Sequence, residues 1–420
     1  MSATHVVSSQ DGTVSTSDKV RRTLVLTGCA PGDDGVGAIL QRQIFEEIPR
    51  ELLHVVTISS RENVETDSSS DWVDTSLTRK FEHAWRPVNG LGGNITSYLA
   101  HIGISLRHLK RLAAECISAG KQHQAEAMVA VFDSPTPIFI AEKVARRLDV
   151  PLYCFVMDGP ALHAFDYGYR GAVRKRFMNA FDSAMNCATR IATAGETMQS
   201  TYQQKYGKPT TILRQGVQYK PGTMPELSHD GPVRIGFSGS LTAREAFYSL
   251  ISELDDRKWI LANRPVIIRL AGPHVRLSPS GAQHIEYFGW RPVPDMMQLM
   301  GECDFLYMPQ PFSGHLTEFA ELSFPNKLCT YVPVRRPIML HTPPNASLPS
   351  FFDRYPCGPR STELSATSLL DQTEEAILDR NVYATFQQTV ESAFREELNY
   401  DALKNGVFEF IGSTGNVSPK

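Results

Sequence analysis

A proline–asparagine–lysine turn, Pro325-Asn326-Lys327, precedes a short amphipathic helical pattern, and an apolar strand pattern follows within ten residues. Proline suits a helix start, because its missing N–H would have no partner there. The free amides of a first helical turn attract anions, and the Lys327 ammonium adds a full charge. The turn therefore predicts a site for a phosphate-bearing ligand. The alternative is a loop lysine before an ordinary helix.

A second turn of small residues runs from Gly236 to Arg244 and again precedes a helical pattern. Gly239 and Ser240 lie in the turn, and Arg244 lies about one helical turn further on. Arg244 and Lys327 together could neutralise a diphosphate through charge-assisted hydrogen bonds of about 1.5–3 kcal/mol each. Arg244 as a solvated helix residue is the alternative.

Two further segments of the second half could complete such a site. The turn Phe288-Gly289-Trp290 could present backbone groups to a nucleobase, with Trp290 or Arg291 stacking near it, although Trp290 as a core residue is equally compatible. The segment from Gln310 to Glu321 contains a glycine loop and two carboxylates. Glu318 and Glu321 could accept hydrogen bonds from sugar hydroxyls, or could be surface charges.

The first half contains a glycine-rich loop, Gly28 to Gly37, directly after a strand pattern. It resembles a dinucleotide-binding fingerprint, but the loop is longer and carries Asp33 and Asp34, which would repel a pyrophosphate. Gly35 is kept as a donor-binding candidate, and a plain glycine turn is the alternative. Asp158 and His163 follow another strand end, where open α/β sheets place ligands. We expect Asp33, Asp34, Asp158 and His163 to contact an acceptor. Asp158 and His163 could instead act in proton transfer, and a solvated loop position is a further alternative for His163.

Length and pattern predict the elements that position these residues. A chain of 420 residues exceeds one ordinary core. Apolar runs that are buried on both faces alternate with helical patterns such as Ile138–Leu148, which predicts α/β architecture with two doubly wound, Rossmann-like domains facing a cleft. The expected strands of the first half are Thr23–Thr27, Leu52–Ile58, Met128–Asp133, Leu152–Met157 and Arg190–Ala194.

Composition breaks suggest the domain boundaries. The Pro- and Gly-containing stretch 216–232 predicts a linker between a first domain at 21–215 and a second at 233–380. Residues 1–20 read as a disordered tail, 64–76 as a polar loop, and 381–420 as a C-terminal helix that packs back towards the first domain.

Charge and cysteine usage exclude several classes. The net charge of −3 gives no support to nucleic-acid binding. Seven dispersed cysteines without a CxxC pair argue against a disulfide framework and a zinc site, and indicate a reducing compartment. The polar start lacks the apolar region of a signal peptide, and no run approaches the roughly 20 apolar residues that span a bilayer. We expect a cytoplasmic protein.

The ordered set of motifs resembles GT-B glycosyltransferases, closest to the family 4-like retaining enzymes that use nucleotide sugars. The match is carried by RIGFSGSL, IIRLAGP, IEYFGWRPVPDMMQLMGECDFLYMP and SFPNKLCTYVPVRRPIML in that order, preceded by IATAGETMQSTYQQKYG and LRQGV. It covers most of residues 23 to 412.

The resemblance implies a donor in the interdomain cleft, against the second domain. Arg244, Lys327 and Glu318 would be the catalytic residues, with no metal and no cofactor besides the donor substrate. The donor-binding set it implies comprises Gly35, Gly239, Ser240, Arg244, Gly272, Trp290, Arg291, Glu321, Ser323, Pro325, Asn326, Lys327 and Thr330. The chain departs from the family at Thr330, where relatives usually carry a ribose-binding glutamate, and at Ser240, where many carry a basic residue.

Other activities stay open at this stage. A GT-B sugar-nucleotide epimerase or phosphorylase would share these motifs, and Thr330 is compatible with a degenerate, non-catalytic binding protein. The acceptor is unknown: a glycan, a lipid-linked sugar or a small molecule. Basic clusters at Arg107–Arg111 and Arg170–Arg176 suggest weak peripheral membrane association, with solvated helix faces as the alternative.

Overall fold

The computed structural model describes residues 21–33, 35–60, 71–78, 80–85, 93–272 and 279–412. The predicted tail at 1–20, most of the predicted polar loop and Asp34 lie outside these ranges.

A parallel sheet of seven strands forms the centre of the first half. Its central strands are apolar and buried on both faces, as strands between two layers of helices must be. Its strands, in chain order, are β1 (Thr23–Thr27), β2 (Leu53–Ser59), β3 (Thr75–Thr78), β4 (Ala127–Phe132), β5 (Leu152–Val156), β6 (Arg190–Thr193) and β7 (Thr210–Ile212). They lie in the order β3-β2-β1-β4-β5-β6-β7. The helices around it are Val36–Phe45, Phe81–Ala84, Gly93–Gln122, Pro135–Leu148, Pro160–Asp166, Gly171–Cys187 and Glu196–Tyr206.

A second, mostly parallel sheet follows. Its strands are β8 (Val233–Ser238), β9 (Ile260–Leu261), β10 (Arg264–Ala271), β11 (Ile285–Tyr287), β12 (Phe305–Pro309), β13 (Ile338–His341) and β14 (Arg360–Ser361). The order is β11-β10-β8-β12-β13-β14, and β9 pairs antiparallel with β10. The accompanying helices are Arg244–Asp256, Pro279–Ala282, Val293–Gly301, Thr317–Leu322, Asn326–Tyr331, Leu348–Arg354, Thr367–Leu378, Arg380–Glu396 and Tyr400–Ile411.

Both sheets reverse their strand order beside their first strand, between β1 and β4 and between β8 and β12. Loops at the carboxyl ends of such strands diverge and leave a crevice, where α/β proteins bind ligands. The two glycine-rich turns noted in the sequence follow β1 and β8, so each lies at one of these crevices.

The five strands predicted for the first half are confirmed to within one residue at each end. The polar-loop prediction for residues 64–76 is wrong at its end, because Thr75 and Ser76 belong to β3, which pairs with β2. Thr210–Ile212 was not predicted as a strand. Between Ile212 and Val233 there is no helix or strand, only an isolated bridge from Val217 to Asn399.

Arg214 joins the two halves. Its guanidinium is 5% exposed and lies 2.7 Å from Glu397 and 2.5 Å from Glu196, while its face covers the Phe324 ring at 3.6 Å. Although burial opposes ionisation, Arg214 holds the pKa of Glu196 at about 2. Because Glu196 belongs to the first half and Phe324 to the second, this ion network fixes their mutual position.

The chain passes between the two halves twice. The helix Arg380–Glu396 packs on the second half, where Val390 and Phe394 enter its core. The helix Tyr400–Ile411 packs on the first sheet through Val407 and Phe410. The predicted single C-terminal helix is therefore two helices, and the second of them lies against the first domain.

Candidate functional site

Two glycines meet at the carboxyl edge of the second sheet. Gly239 follows β8 with φ +83° and donates its N–H to the Ala271 carbonyl at 2.8 Å. A Cβ on Gly272 would lie 2.6 Å from the Gly239 carbonyl oxygen. Only glycine permits this approach, since any side chain at 272 would displace the Gly239 backbone. The pair leaves a turn without side chains at the strand ends.

Lys327 reaches the same turn. A Cβ built on Gly239 would lie 3.6 Å from its Cε, and its Nζ lies 3.8 Å from the centre of the Phe237 ring. Burial lowers the pKa of the ammonium to about 7. Among the described residues no carboxylate pairs with Lys327. A bound anion would stabilise the charged form of this partly buried lysine, so the position is suited to an anionic ligand.

Arg244 begins the helix that follows the Gly239 turn, and its side chain is exposed. The next residue, Glu245, is engaged in hydrogen bonds with a loop. Glu245 Oε1 accepts hydrogen bonds from the N–H groups of Phe312 (2.9 Å) and Ser313 (2.8 Å) and from the Ser313 hydroxyl (3.1 Å). The helix start is thereby tied to the loop that leads to Glu318. Ser240 is exposed in the turn beside Gly239.

Pro325 lies just before the helix Asn326–Tyr331, which has six residues. Thr330 is buried, and its hydroxyl donates to the Lys327 carbonyl oxygen at 2.8 Å. The hydroxyl is thus engaged within its own helix. Tyr331, which sequence reasoning missed, accepts a hydrogen bond from the Ser238 N–H at 2.8 Å and fixes the end of β8.

The turn after β11 lies on the outer side of this edge. Tyr287 donates its hydroxyl hydrogen to the Gly272 carbonyl, which links β11 to the glycine pair. Gly289 has φ +67°, as a tight turn requires. Trp290 is 72% exposed, and Arg291 is exposed as well. Trp290 is therefore no core residue, and the alternative of a buried tryptophan is wrong.

Polar residues from both halves meet at their interface. The Ser323 hydroxyl donates to Asp158 Oδ1 at 3.1 Å. A Cβ on Gly159 would lie 3.3 Å from Glu318 Oε1, so the Glu318 carboxylate lies directly against the first half. Burial raises the pKa of both Asp158 and Glu318. These carboxyl groups are therefore polar and partly buried at the contact between the two halves.

The other predicted acceptor residues are placed differently. His163 is not in a solvated loop. It is 6% exposed within the helix Pro160–Asp166, with Nε2 3.3 Å from the Phe132 carbonyl oxygen. Asp33 is exposed and pairs with Arg42 at 2.8 Å. Gly35 caps the helix Val36–Phe45 with φ +87°.

Glu321 accepts a hydrogen bond from the Asn345 side chain. Two groups of candidate residues emerge from these contacts. The first contains Gly239, Gly272, Lys327 and the start of the Arg244 helix. The second, at the interface of the two halves, contains Glu318, Ser323 and Asp158. Asp33 and Gly35 lie beside the first sheet, and Trp290 and Arg291 are exposed in the turn after β11. Among the described residues no cluster of three His, Cys, Asp or Glu side chains has metal-binding geometry.

Solved structures share this architecture over nearly their whole length. HepE from Anabaena, solved in complex with UDP, matches with a TM-score of 0.64 at 15% identity, over 93% of this chain and 99% of that one. Sucrose-phosphate synthase from Thermosynechococcus elongatus matches with a TM-score of 0.62 at 10% identity, over 93% and 98% of the two chains. The fold is GT-B. WaaG, a glycosyltransferase involved in lipopolysaccharide biosynthesis, matches this GT-B chain with a TM-score of 0.55 at 12% identity, over 94% and 100%.

No protein-family model matches the sequence, and no curated protein matches it. The predicted fold class is confirmed, with its two α/β sheets in separate halves.

Sequence reasoning missed Glu245 and Tyr331 as residues that shape the GT-B crevice. Glu245 gave one usable signal, because a carboxylate in the first helical turn faces backbone amides that lack partners. Its partners Phe312 and Ser313 are distant in sequence, so the loop that it binds could not be named. Tyr331 could not be told from an ordinary core aromatic, because its role depends on the hydrogen bond that its hydroxyl accepts from the Ser238 N–H.

Proposed function

We propose that this GT-B protein is a glycosyltransferase that moves a sugar from a nucleoside-diphosphate sugar to an acceptor hydroxyl. The observation that carries the proposal is Lys327, which reaches the side-chain-free turn at Gly239 and has no carboxylate partner in the described part of the chain. HepE, of the same fold, has been solved with UDP and with UDP-glucose. The ligand class is inferred from these two facts together.

In this proposal the second half holds the donor. Lys327 and Arg244 neutralise the diphosphate, and the Gly239–Gly272 turn lets its oxygens approach the backbone. The turn at Gly289 and Trp290 contacts the base. Because charge on the diphosphate grows as the glycosidic bond breaks, cations held at this turn stabilise the transition state more than the ground state.

The acceptor is proposed to bind on the first half, near the carboxyl end of β5. There the Glu318 carboxylate faces Gly159, and Ser323 is hydrogen-bonded to Asp158. Retention of configuration, action without a metal and transfer of a hexose or related sugar belong to the proposal as expectations from the motif resemblance. A reducing, cytoplasmic compartment belongs to the proposal in the same way, as an expectation from the dispersed cysteines of the sequence.

A thermal-shift screen tests the proposal. Nucleoside diphosphates of all bases and their sugars are added to the wild-type protein, since a ligand that binds only the folded state raises the Tm by mass action. We expect one base series to give a clear shift, with the nucleoside alone giving little. Product analysis with that sugar nucleotide and an acceptor panel then detects transfer. Binding without transfer or hydrolysis would favour the non-catalytic alternative, and no binding by any nucleotide would refute the proposal.

A further inference from the structure

A groove crosses the outer surface of the first half, between the helices Gly93–Gln122, Pro135–Leu148 and Gly171–Cys187. It consists of two adjoining depressions of about 300 and 290 Å³, which share Lys110 and Lys143. Their apolar lining includes Leu106, Leu109, Phe139 and Ile117, whereas Lys110, Lys143, Lys121, Arg147 and Arg176 supply the polar groups. Of the residues that the structure describes, no acidic one lines either depression.

The groove unites two basic clusters that are far apart in sequence. Lys110 comes from the cluster 107–111 and Arg176 from the cluster 170–176. Arg176 is half-buried and donates to His101 Nδ1 at 3.1 Å. Burial lowers the pKa of His101 to about 4, so this partner is neutral near pH 7. The Arg176 guanidinium is therefore positioned by a neutral partner, which leaves its positive charge uncompensated by His101.

Apolar side chains continue the groove along the helix Gly93–Gln122. Ile95, Leu99 and Leu106 are 69%, 61% and 54% exposed. Positions 95, 99, 106 and 110 follow the spacing of one helix face, so these three side chains line up with Lys110. Glu115, the acid of this helix segment, lies on another face and pairs with Arg111.

A cationic groove that continues into an exposed apolar ridge matches a surface with anionic headgroups above hydrocarbon. We propose that this face docks on the surface of an anionic phospholipid bilayer, with the lysines at the phosphates and Ile95, Leu99 and Leu106 in the headgroup–acyl boundary. The inference goes beyond the proposed function and does not depend on it. Among the described residues no helix is long and apolar enough to cross a membrane.

Vesicle co-sedimentation tests the proposal. Wild-type protein is mixed with vesicles of phosphatidylcholine alone, or with about one-third phosphatidylglycerol, at low and at physiological salt. We expect binding only to the anionic vesicles, weakened by salt. Each lysine near an anionic surface contributes about fivefold, so Lys110→Ala with Lys143→Ala should weaken partitioning by about 25-fold. Leu99→Ser with Leu106→Ser should weaken it at both salt concentrations.

The matched control is Lys208→Ala with Lys258→Ala, two lysines that do not line the groove, and it should bind like wild type. Equal binding to neutral vesicles, no binding to either vesicle, or full binding by the groove variants would overturn the proposal. If the protein binds a soluble acidic polymer but no vesicle, the proposal is also overturned, and the result would indicate a protein or nucleic-acid partner instead. The nucleotide thermal shift is measured on every variant. It should be unchanged, which separates failure of membrane docking from failure of the proposed transferase activity.

Discussion

Replacing Lys327 by methionine tests the centre of the proposed donor site. Methionine keeps an unbranched apolar side chain beside Phe237 and removes only the ammonium. If Lys327 makes one charge-assisted hydrogen bond to the diphosphate, the lost contribution is about 1.5–3 kcal/mol. The Kd for the sugar nucleotide should then rise about 10- to 140-fold.

The same residue predicts a pH dependence with a definite sign. The ammonium pKa is about 7 in the free protein, below its ordinary value of 10.5. Because a bound diphosphate favours the charged form, affinity should fall as pH rises above about 7, by up to about tenfold per pH unit. A sugar nucleotide is the suitable ligand, because its diphosphate lacks the secondary ionisation that a free nucleotide shows near pH 6.

The free energy of unfolding should rise with pH, whereas the affinity for the sugar nucleotide should fall. Between about pH 7 and 10.5 the unfolded chain binds the Lys327 proton and the folded chain does not. The free energy of unfolding therefore rises with pH in this window, by at most about 1.4 kcal/mol per unit. In Lys327→Met this rise disappears, and the variant should be at least as stable as wild type at pH 7.

Isothermal titration calorimetry and urea unfolding across pH 6 to 10 measure both effects, with Lys258→Met as the control for loss of an exposed lysine. The reasoning is refuted if Lys327→Met binds the sugar nucleotide as tightly as wild type, or if wild-type affinity does not change above pH 7. A variant that fails to fold would instead mean that the lysine is structural.

Three further substitutions probe the same crevice. Gly272→Ala should lower stability by about 1–3 kcal/mol in urea unfolding and abolish the nucleotide thermal shift, because its Cβ would meet the Gly239 carbonyl at 2.6 Å; an unshifted midpoint would contradict this. Glu245→Ala should reduce kcat/KM about tenfold, while the Kd for the nucleotide stays within about threefold. The substitution frees the loop before Glu318 but leaves the proposed diphosphate contacts in place. If kcat/KM and Kd change by the same factor, Glu245 acts in nucleotide binding instead. Thr330→Ala should change Kd by less than about threefold, because its hydroxyl already bonds the Lys327 carbonyl; a larger loss would show that this hydroxyl contacts the ligand.

Local pattern predicted the strands well, because each is a short apolar run that must be buried on both faces. Thr23–Thr27 was placed to the residue. The pattern failed at Thr75–Thr78, since this edge strand is polar and only its pairing with β2 shows its nature. Edge strands carry little of the burial signal on which such predictions depend.

For the candidate site too, local features could be predicted from the sequence and long-range contacts could not. Gly239 and Lys327 were identified because glycine and lysine at strand–helix turns have local physical meaning. The hydrogen bond from Ser323 to Asp158 and the burial of His163 could not be read from the sequence, because each depends on contacts between segments far apart in the chain. The roles of Arg244, Glu318 and the other candidates remain predictions.

The crossing of the helix Tyr400–Ile411 onto the first sheet has a consequence for the order of folding. Val407 and Phe410 cover Leu213 and the neighbouring strands of that sheet, so the first half is not a continuous piece of chain. During synthesis this core stays open until the whole second half has left the ribosome, and a fragment that ends in the linker exposes the apolar face that the helix would cover. The first half therefore reaches its final form only after the last helix of the chain has been made, although its own strands are made first.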